Sequence, residues 1–404
     1  EEANLLENQP QLQANMFNVI GRVYTGLGRY SDAEEILIKA VETIQSHSDS
    51  DNADAARYLN DFAVALTRQG RFDEAYQLYQ QALDIQTRLF GRNHEEVANS
   101  LEMLASWVPV TGLQEAAELR YEVLEIRRNL FGNLHLQTAD ALMSVGQIER
   151  SLANPEKAIE AFEQALEIRR ELLGDEHPKV AEILNFLGDV HRLYNLDIHK
   201  AEGYYRSAFE ILVNEFGEKH LRLLHTLTSL GSLLVETGNY NEAEELYLKN
   251  LEIRKEVFGE EHPSTAEGLV QLANGYNRMG AHAIAEEYYR ESLQKWKEIH
   301  GPDHISISGA MVGMGKNLVE LGKFGEAESI LFEAIRIQRK HYGENSGALV
   351  LGEIGRMYGK MGDLESAEEY YNEAISLFST AGSSGHYDVK RLKNELEELN
   401  SKRY

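Results

Sequence analysis

Residues 177–217 read HPKVAEILNFLGDVHRLYNLDIHKAEGYYRSAFEILVNEFG, and this stretch decides the fold. Pro178 suits the first turn of a helix, where its missing N–H costs nothing. Val180, Ile183, Leu184, Leu187 and His191 follow at helical spacing. Gly188 sits among them, although Gly costs a helix interior about 1 kcal/mol relative to Ala. A turn falls near Leu196–His199. A second amphipathic stretch carries Ala201, Tyr204, Tyr205, Ala208, Phe209, Ile211 and Leu212. It ends at Phe216-Gly217, with Gly as the C-terminal stop. The stretch is one helix–turn–helix unit.

That unit occurs nine times. The Ala that opens each second helix falls at Ala33, Ala75, Ala116, Ala158, Ala201, Ala243, Ala285, Ala327 and Ala367, in steps of 40 to 43 residues. A period of this length marks a solenoid of stacked units, which replaces any domain count by length. A small residue recurs within every first helix, at Gly21, Ala63, Ala105, Gly146, Gly188, Gly231, Ala273, Gly315 and Gly355. A side chain there would hold two helices apart, so the column predicts a close crossing. A further small position falls seven residues after the first Ala, at Ala40, Ala82, Ala165, Ala208, Ser292, Ala334 and Ala374, with Val123 and Asn250 as exceptions.

Hydrophobic residues make up 43% of the chain, which is ordinary for a globular core. The formal net charge of -26 repels phosphate backbones and anionic lipid. Nucleic acid and membrane surfaces are therefore not expected partners. There is no Cys, which excludes disulfide scaffolding, thiolate catalysis and Cys-ligated zinc. No apolar run approaches 18 residues and no signal peptide is present, so a cytoplasmic setting is favoured. The chain starts at Glu1 and Leu5-Leu6 looks like the tail of an earlier helix, as in a piece of a longer protein.

The small residue, a Gly-x-aromatic turn and two Ala positions together resemble the tetratricopeptide repeat. Gly28-Arg29-Tyr30, Gly70-Arg71-Phe72, Gly238-Asn239-Tyr240 and Gly322-Lys323-Phe324 carry the turn. HEAT and armadillo repeats share the period but lack this pattern. Eight residues beyond the standard unit of about 34 would lengthen the helices by about 12 Å in total. Leu173-Gly174-Asp175-Glu176-His177-Pro178 and Phe258-Gly259-Glu260-Glu261-His262-Pro263 look like the junctions of the kinesin light chain type. Residues 5–28 are also similar to repeat regions that follow the kinase domain of some bacterial serine/threonine protein kinases, though no kinase motif occurs in the chain. The expected fold is all-α: a right-handed superhelical solenoid of nine repeats over 1–379, a linker at 380–386 and a capping helix at 387–404.

Few residues suggest chemistry. His94, His135, His177, His220, His262 and His304 each lie three residues after a Gly at a repeat junction. Successive junctions are separated by roughly 8–10 Å or more, so these side chains cannot converge on one metal ion. A structural role in the turn or at the helix start follows, with a pH-sensitive ladder of imidazoles as the alternative. Gly309–Asn317 superficially resembles a phosphate loop, but its Gly spacing is one short and Asn317 replaces the required Ser or Thr. Glu-Glu pairs such as Glu244-Glu245 open second helices, where they favour the dipole. No catalytic residue, metal site or cofactor is expected.

The resemblance implies that first helices line a concave groove, with inward positions three before, one after and four after the small residue. Three before it stand Asn18, Asn60 and Asn185, which in the kinesin light chain type hold an extended peptide backbone; inter-repeat hydrogen bonding is the alternative. The other inward positions add Arg22, Arg150, Asp189, Arg192, Asn274, Asn277, Lys316 and Arg356, with Arg57 nearby. The cations could receive carboxylates of an acidic partner, or bridge to neighbouring Asp and Glu. Val270 and Val312 give the later repeats an apolar character. Trp107 and Pro109 make repeat three irregular, and repeat five lacks a Gly in its turn. The expected function is a non-catalytic scaffold that binds a protein segment. The alternative is a regulatory repeat region joined to a bacterial kinase or signalling protein.

Overall fold

The computed structural model describes residues 9–47, 52–69, 71–107, 112–380 and 387–401. Leu5-Leu6, Gly70, Pro109, the side chain of Trp107 and nearly all of the 380–386 linker lie outside the described residues. The first helices are α1 (Pro10–Gly26), α3 (Ala53–Arg68), α5 (Glu95–Trp107), α7 (Leu136–Ser151), α9 (Pro178–Leu193), α11 (Leu223–Glu236), α13 (Pro263–Arg278), α15 (Ile305–Glu320) and α17 (Ala348–Met361). They alternate with α2 (Tyr30–His47), α4 (Phe72–Phe90), α6 (Leu113–Phe131), α8 (Pro155–Leu173), α10 (Ile198–Phe216), α12 (Tyr240–Phe258), α14 (His282–His300), α16 (Phe324–Tyr342) and α18 (Leu364–Thr380). A final helix, α19, spans Tyr387–Ser401. Every described element is helical, so the fold is an all-α array of tetratricopeptide-type hairpins.

The chain divides into two compact units, residues 1–149 and 150–404. In the second, successive first helices approach one another directly from α9 to α17, and α19 takes the next place beside α17. The second helices make their close approaches to first helices. First helices therefore form one layer and second helices the other. α19 seats Val389 and Leu392, both fully buried, and Leu399. It covers the last hairpin as a capping helix does.

The Ala column is fully buried in eight of nine repeats, with Ala116 4% exposed. The small column has a more specific cause than a bare helix crossing. A Cβ added at Gly188 would lie 2.6 Å from the ring of Tyr205, and one at Gly315 would lie 2.6 Å from Leu331. At Gly21 it would collide with Leu37, and at Gly355 it would crowd Tyr371. Each of these partners stands four residues after the Ala that opens the second helix. A large second-helix side chain thus lies across the face of the first helix and fills the space a larger residue would take.

The junctions also have a physical explanation. Each long second helix from α4 to α16 ends on a Gly with φ between 77° and 87°, as at Gly174 and Gly259. L side chains avoid that region, so the Gly fits there. Three residues on, the imidazole caps the next first helix. Nδ1 of His177 accepts from the Lys179 N–H at 3.1 Å, and Nδ1 of His262 accepts from Ser264 at 3.1 Å. His94, His135 and His304 do the same at 3.2 to 3.3 Å, while His220 accepts from the Arg222 N–H at 3.2 Å just ahead of α11. Where the residue before the Gly is aromatic the ring stacks on it, with centroids 4.5 Å apart for Phe216–His220 and Phe258–His262. Repeat five, which lacks a turn Gly, places Asn195 at φ 51°, a conformation Asn tolerates better than most residues.

An Nδ1 that accepts a backbone N–H carries no proton. At His304, burial and then the charges of His300 and His341 push the imidazole below its ordinary value of 6.5. The folded state therefore favours neutral His304, and that contribution is lost as pH falls through 6.5 towards the lower folded value. Hydrogen exchange at the first turn of α15 should lose protection between about pH 7.5 and about pH 5.5. His304→Asn, which retains a capping oxygen, should lose less. Equal behaviour of the two proteins would contradict the capping role.

Candidate functional site

The inward positions sit on the first helices, where helical spacing aligns them on one face. In the first unit, Asn18 is 2% exposed and donates from Nδ2 to Asp61 Oδ2 on α3 at 2.8 Å. Arg22 Nε approaches the other oxygen of Asp61 at 3.9 Å. Burial raises the Asp61 carboxyl above its ordinary range, while Asn18, Arg22 and Arg57 pull it down. Asn60 donates to Ser100 Oγ on α5 at 3.1 Å. In the second unit, Asn185 donates to Thr226 Oγ1 on α11 at 2.8 Å. All three amides thus tie one first helix to the next. Their Oδ1 atoms are buried and have no hydrogen-bond partner among the described residues. Of the two roles the sequence allowed, inter-repeat bonding is the one these distances describe.

The inward cations follow a related rule. Arg150 Nη1 lies 3.3 Å from Asp189 Oδ2, and its guanidinium lies 5.5 Å from the centroid of the Phe186 ring. Asp189 is 5% exposed and also accepts from Tyr205 at 2.7 Å and Ser229 at 3.2 Å, with His225 Nε2 at 3.3 Å. Burial would raise its carboxyl, but the His225 hydrogen bond and charge, with Tyr205 and Arg150, outweigh burial and hold it below the usual value. Arg192 and Arg278 converge on one oxygen of Glu236, at 3.0 and 2.5 Å. Lys316 reaches Glu353 at 2.9 Å. Glu353 is 3% exposed and also receives Arg356 at 2.6 Å and Arg391 of α19 at 3.6 Å. The Arg150, Arg192, Arg278 and Lys316 pairs run from one first helix to its neighbour, whereas Arg356 pairs with Glu353 within α17. Arg57 likewise pairs within its own helix, with Asp54 at 2.7 Å.

Asn274 and Asn277 differ from the earlier Asn residues. Here Oδ1 is the engaged atom, accepting from Tyr289 at 2.5 Å in Asn274 and meeting His282 Nδ1 at 2.8 Å in Asn277. The Tyr column that fills the first-helix face also delivers its hydroxyls to this layer: Tyr205 to Asp189, Tyr247 to Ser232 and Tyr289 to Asn274.

Inspection of inward positions alone misses a further set of residues. Arg127, Arg169 and Arg254 are each less than 10% exposed. They donate to the carbonyls of Gln137, Lys179 and Ser264 in the first turn of the following first helix. The recurring Ile-Arg at 126–127, 168–169 and 253–254 is the sequence signal that could have found them.

Charge is divided unequally between the layers. The nine first helices carry ten basic and thirteen acidic residues, a net of -3. The nine second helices, α2 to α18, carry nineteen basic and thirty-five acidic residues, a net of -16. The first-helix face is close to neutral on a strongly acidic protein. No described helix is long and apolar enough to cross a membrane.

The tetratricopeptide repeat family model matches residues 12–85, 54–108, 112–171, 141–212, 194–249, 222–291, 264–340 and 306–380. The chain belongs to the tetratricopeptide repeat family. Among solved structures it is similar to BtubC (BKLC) from P. vanneervenii, at 18% identity, over 58% of this chain and 94% of that one, with a TM-score of 0.48. It is also similar to a Podosopora anserina putative kinesin light chain with nearly identical TPR-like repeats. That match has 20% identity, covers 53% of this chain and 97% of the other, and has a TM-score of 0.42. No curated protein matches the chain.

Because its folded value lies below 3.8, Asp189 contributes stability above that pH and loses it as pH falls through the folded value. Asp189→Asn should therefore lower the melting temperature at about pH 6 and do so by less at about pH 3, since the contribution begins to fall below 3.8. An equal loss at both pH values would contradict the charged role of this carboxylate.

Proposed function

We propose that this chain is a non-catalytic interaction array that holds an extended peptide, or a segment of a partner protein, along its first-helix faces. Tetratricopeptide arrays generally mediate protein–protein interaction, and the unequal charge of the two layers is the observation that carries the reading here. An extended segment with acidic residues would be repelled by the second-helix layer and accepted by the nearly neutral one. Arg22, with 63% of its side chain exposed, Arg150, Arg192 and Lys316 are the cations such a segment would meet. Each already has an intramolecular carboxylate, so a ligand carboxylate would join or displace an existing pair. Asn18, Asn60 and Asn185 support that face by tying its helices together. Val270 and Val312, both half-buried, supply apolar contact in the later repeats.

Peptides selected from a random displayed library against the protein test the reading. A photo-crosslinking residue at Val270 or Val312 should capture the selected peptides. The same residue at Leu248 or Ile284, exposed on second helices, should not. Capture from the second-helix positions alone would overturn the proposal.

A further inference from the structure

The face of α1 that turns away from its hairpin is apolar and open. Leu12, Val19, Val23 and Leu27 fall at helical spacing along it and are 46%, 51%, 55% and 67% exposed. Met16 and Ile20 complete the stripe and are half-buried. Later repeats cover the equivalent surface. The position two after the small residue, where α1 exposes Val23, is buried in every later repeat where its side chain is described, as at Ala65, Val190, Leu233 and Met357. Where a glycine occupies such a position, the cover is the preceding second helix. A Cβ added at Gly275 would lie 2.6 Å from the ring of Tyr247 on α12, and one at Gly313 would lie 2.7 Å from Tyr289 on α14. No second helix precedes α1 among the described residues.

Charge and symmetry name the occupant. Arg22 is the one charged residue of α1, on a chain of net charge -26. Two copies of so acidic a chain repel each other in most approaches, but contact along α1 brings no carboxylate of that helix against another. The stripe also reads the same from either end. Leu12 lies as far from its centre as Leu27, Met16 as Val23, and Val19 as Ile20. Two antiparallel copies of α1 therefore set each of these residues opposite its counterpart, which is the self-complementarity a two-fold interface requires. The 17 residues of α1 span about 26 Å. A strip of that length and about 10 Å wide is smaller than the roughly 800 Å² per partner of a standard interface, so the association is weak and depends on concentration.

We propose that two copies of this chain associate through antiparallel α1 helices, about a two-fold axis near Val19 and Ile20. The occupant of the open face is thus the same face of a second copy. Asn18 and Arg22 lie on another side of α1, towards Asp61 of α3, so the pairing leaves their contacts as they are.

Sedimentation of the intact chain tests the proposal. The mass should rise from 45.7 kDa at about 1 µM towards twice that value at about 500 µM. Val19→Glu combined with Val23→Glu puts carboxylates on the open face. It should weaken association about tenfold or more and leave the circular dichroism spectrum and melting temperature unchanged. The chain has no Cys, so introduced thiols test the register cleanly. Met16→Cys and Val23→Cys proteins, mixed and oxidised, should cross-link to each other. Met16→Cys alone should not, because antiparallel pairing sets the two copies of residue 16 about 10 Å apart along the helix, beyond the reach of a disulfide. A mass of 45.7 kDa at every concentration would overturn the proposal. So would association that survives the two Glu substitutions, or a Met16→Cys protein that cross-links to itself. A Val19→Cys protein that stays monomeric yet resists alkylation would assign the face to another segment of the same chain and overturn the dimer.

Discussion

A large second-helix side chain laid across a first helix that has little or no side chain to oppose it is the contact on which each hairpin depends. Tyr205 over Gly188 shows it most clearly, and Leu37 over Gly21 and Leu331 over Gly315 repeat it with aliphatic residues. The contact sets how closely the two helices pack, because interiors this dense absorb an added methylene only by moving something. It also explains why the small residue persists where Gly should weaken a helix by about 1 kcal/mol. Burial of the ring or isobutyl group offsets that loss.

The same contact reaches the functional face. A tyrosine that fills the first-helix surface ends in a hydroxyl, and that hydroxyl emerges among the polar residues of the first-helix layer. Tyr205, Tyr247 and Tyr289 there hold Asp189, Ser232 and Asn274. Around them, ion pairs connect neighbouring first helices, from Arg150 to Asp189 and from Lys316 to Glu353. Stacking and recognition therefore share residues. A cation on this face is at once a structural tie and a candidate contact for a partner, and its carboxylate partner sets how easily it changes roles.

The parts of this arrangement that recur were legible in the sequence. The small-residue and Ala columns appear in all nine repeats and the junction His in six, and their periodicity alone predicts hairpins, junctions and caps. The partners of the inward residues were not legible. Asn18 finds Asp61 and Asn185 finds Thr226 some forty residues away, in columns that vary from repeat to repeat. Which end of an amide faces the groove is also invisible in one-letter code. Asn185 and Asn274 are the same residue type on the same face, yet one uses its nitrogen internally and the other its oxygen. The occupant of the small column was hidden for a similar reason, since it lies about sixteen residues away on the other helix. The irregularity expected at Pro109 falls outside the described residues.

A double-mutant cycle with Gly188→Leu and Tyr205→Ala tests this packing rule most directly. Hydrogen exchange at α9 and α10 would read the local stability of each protein. Each single change should destabilise the hairpin, by overpacking in one case and by a cavity in the other. If the two side chains compete for one space, the double variant should be more stable than the sum of the single effects by about 2 kcal/mol. Additivity within about 0.5 kcal/mol would contradict the account.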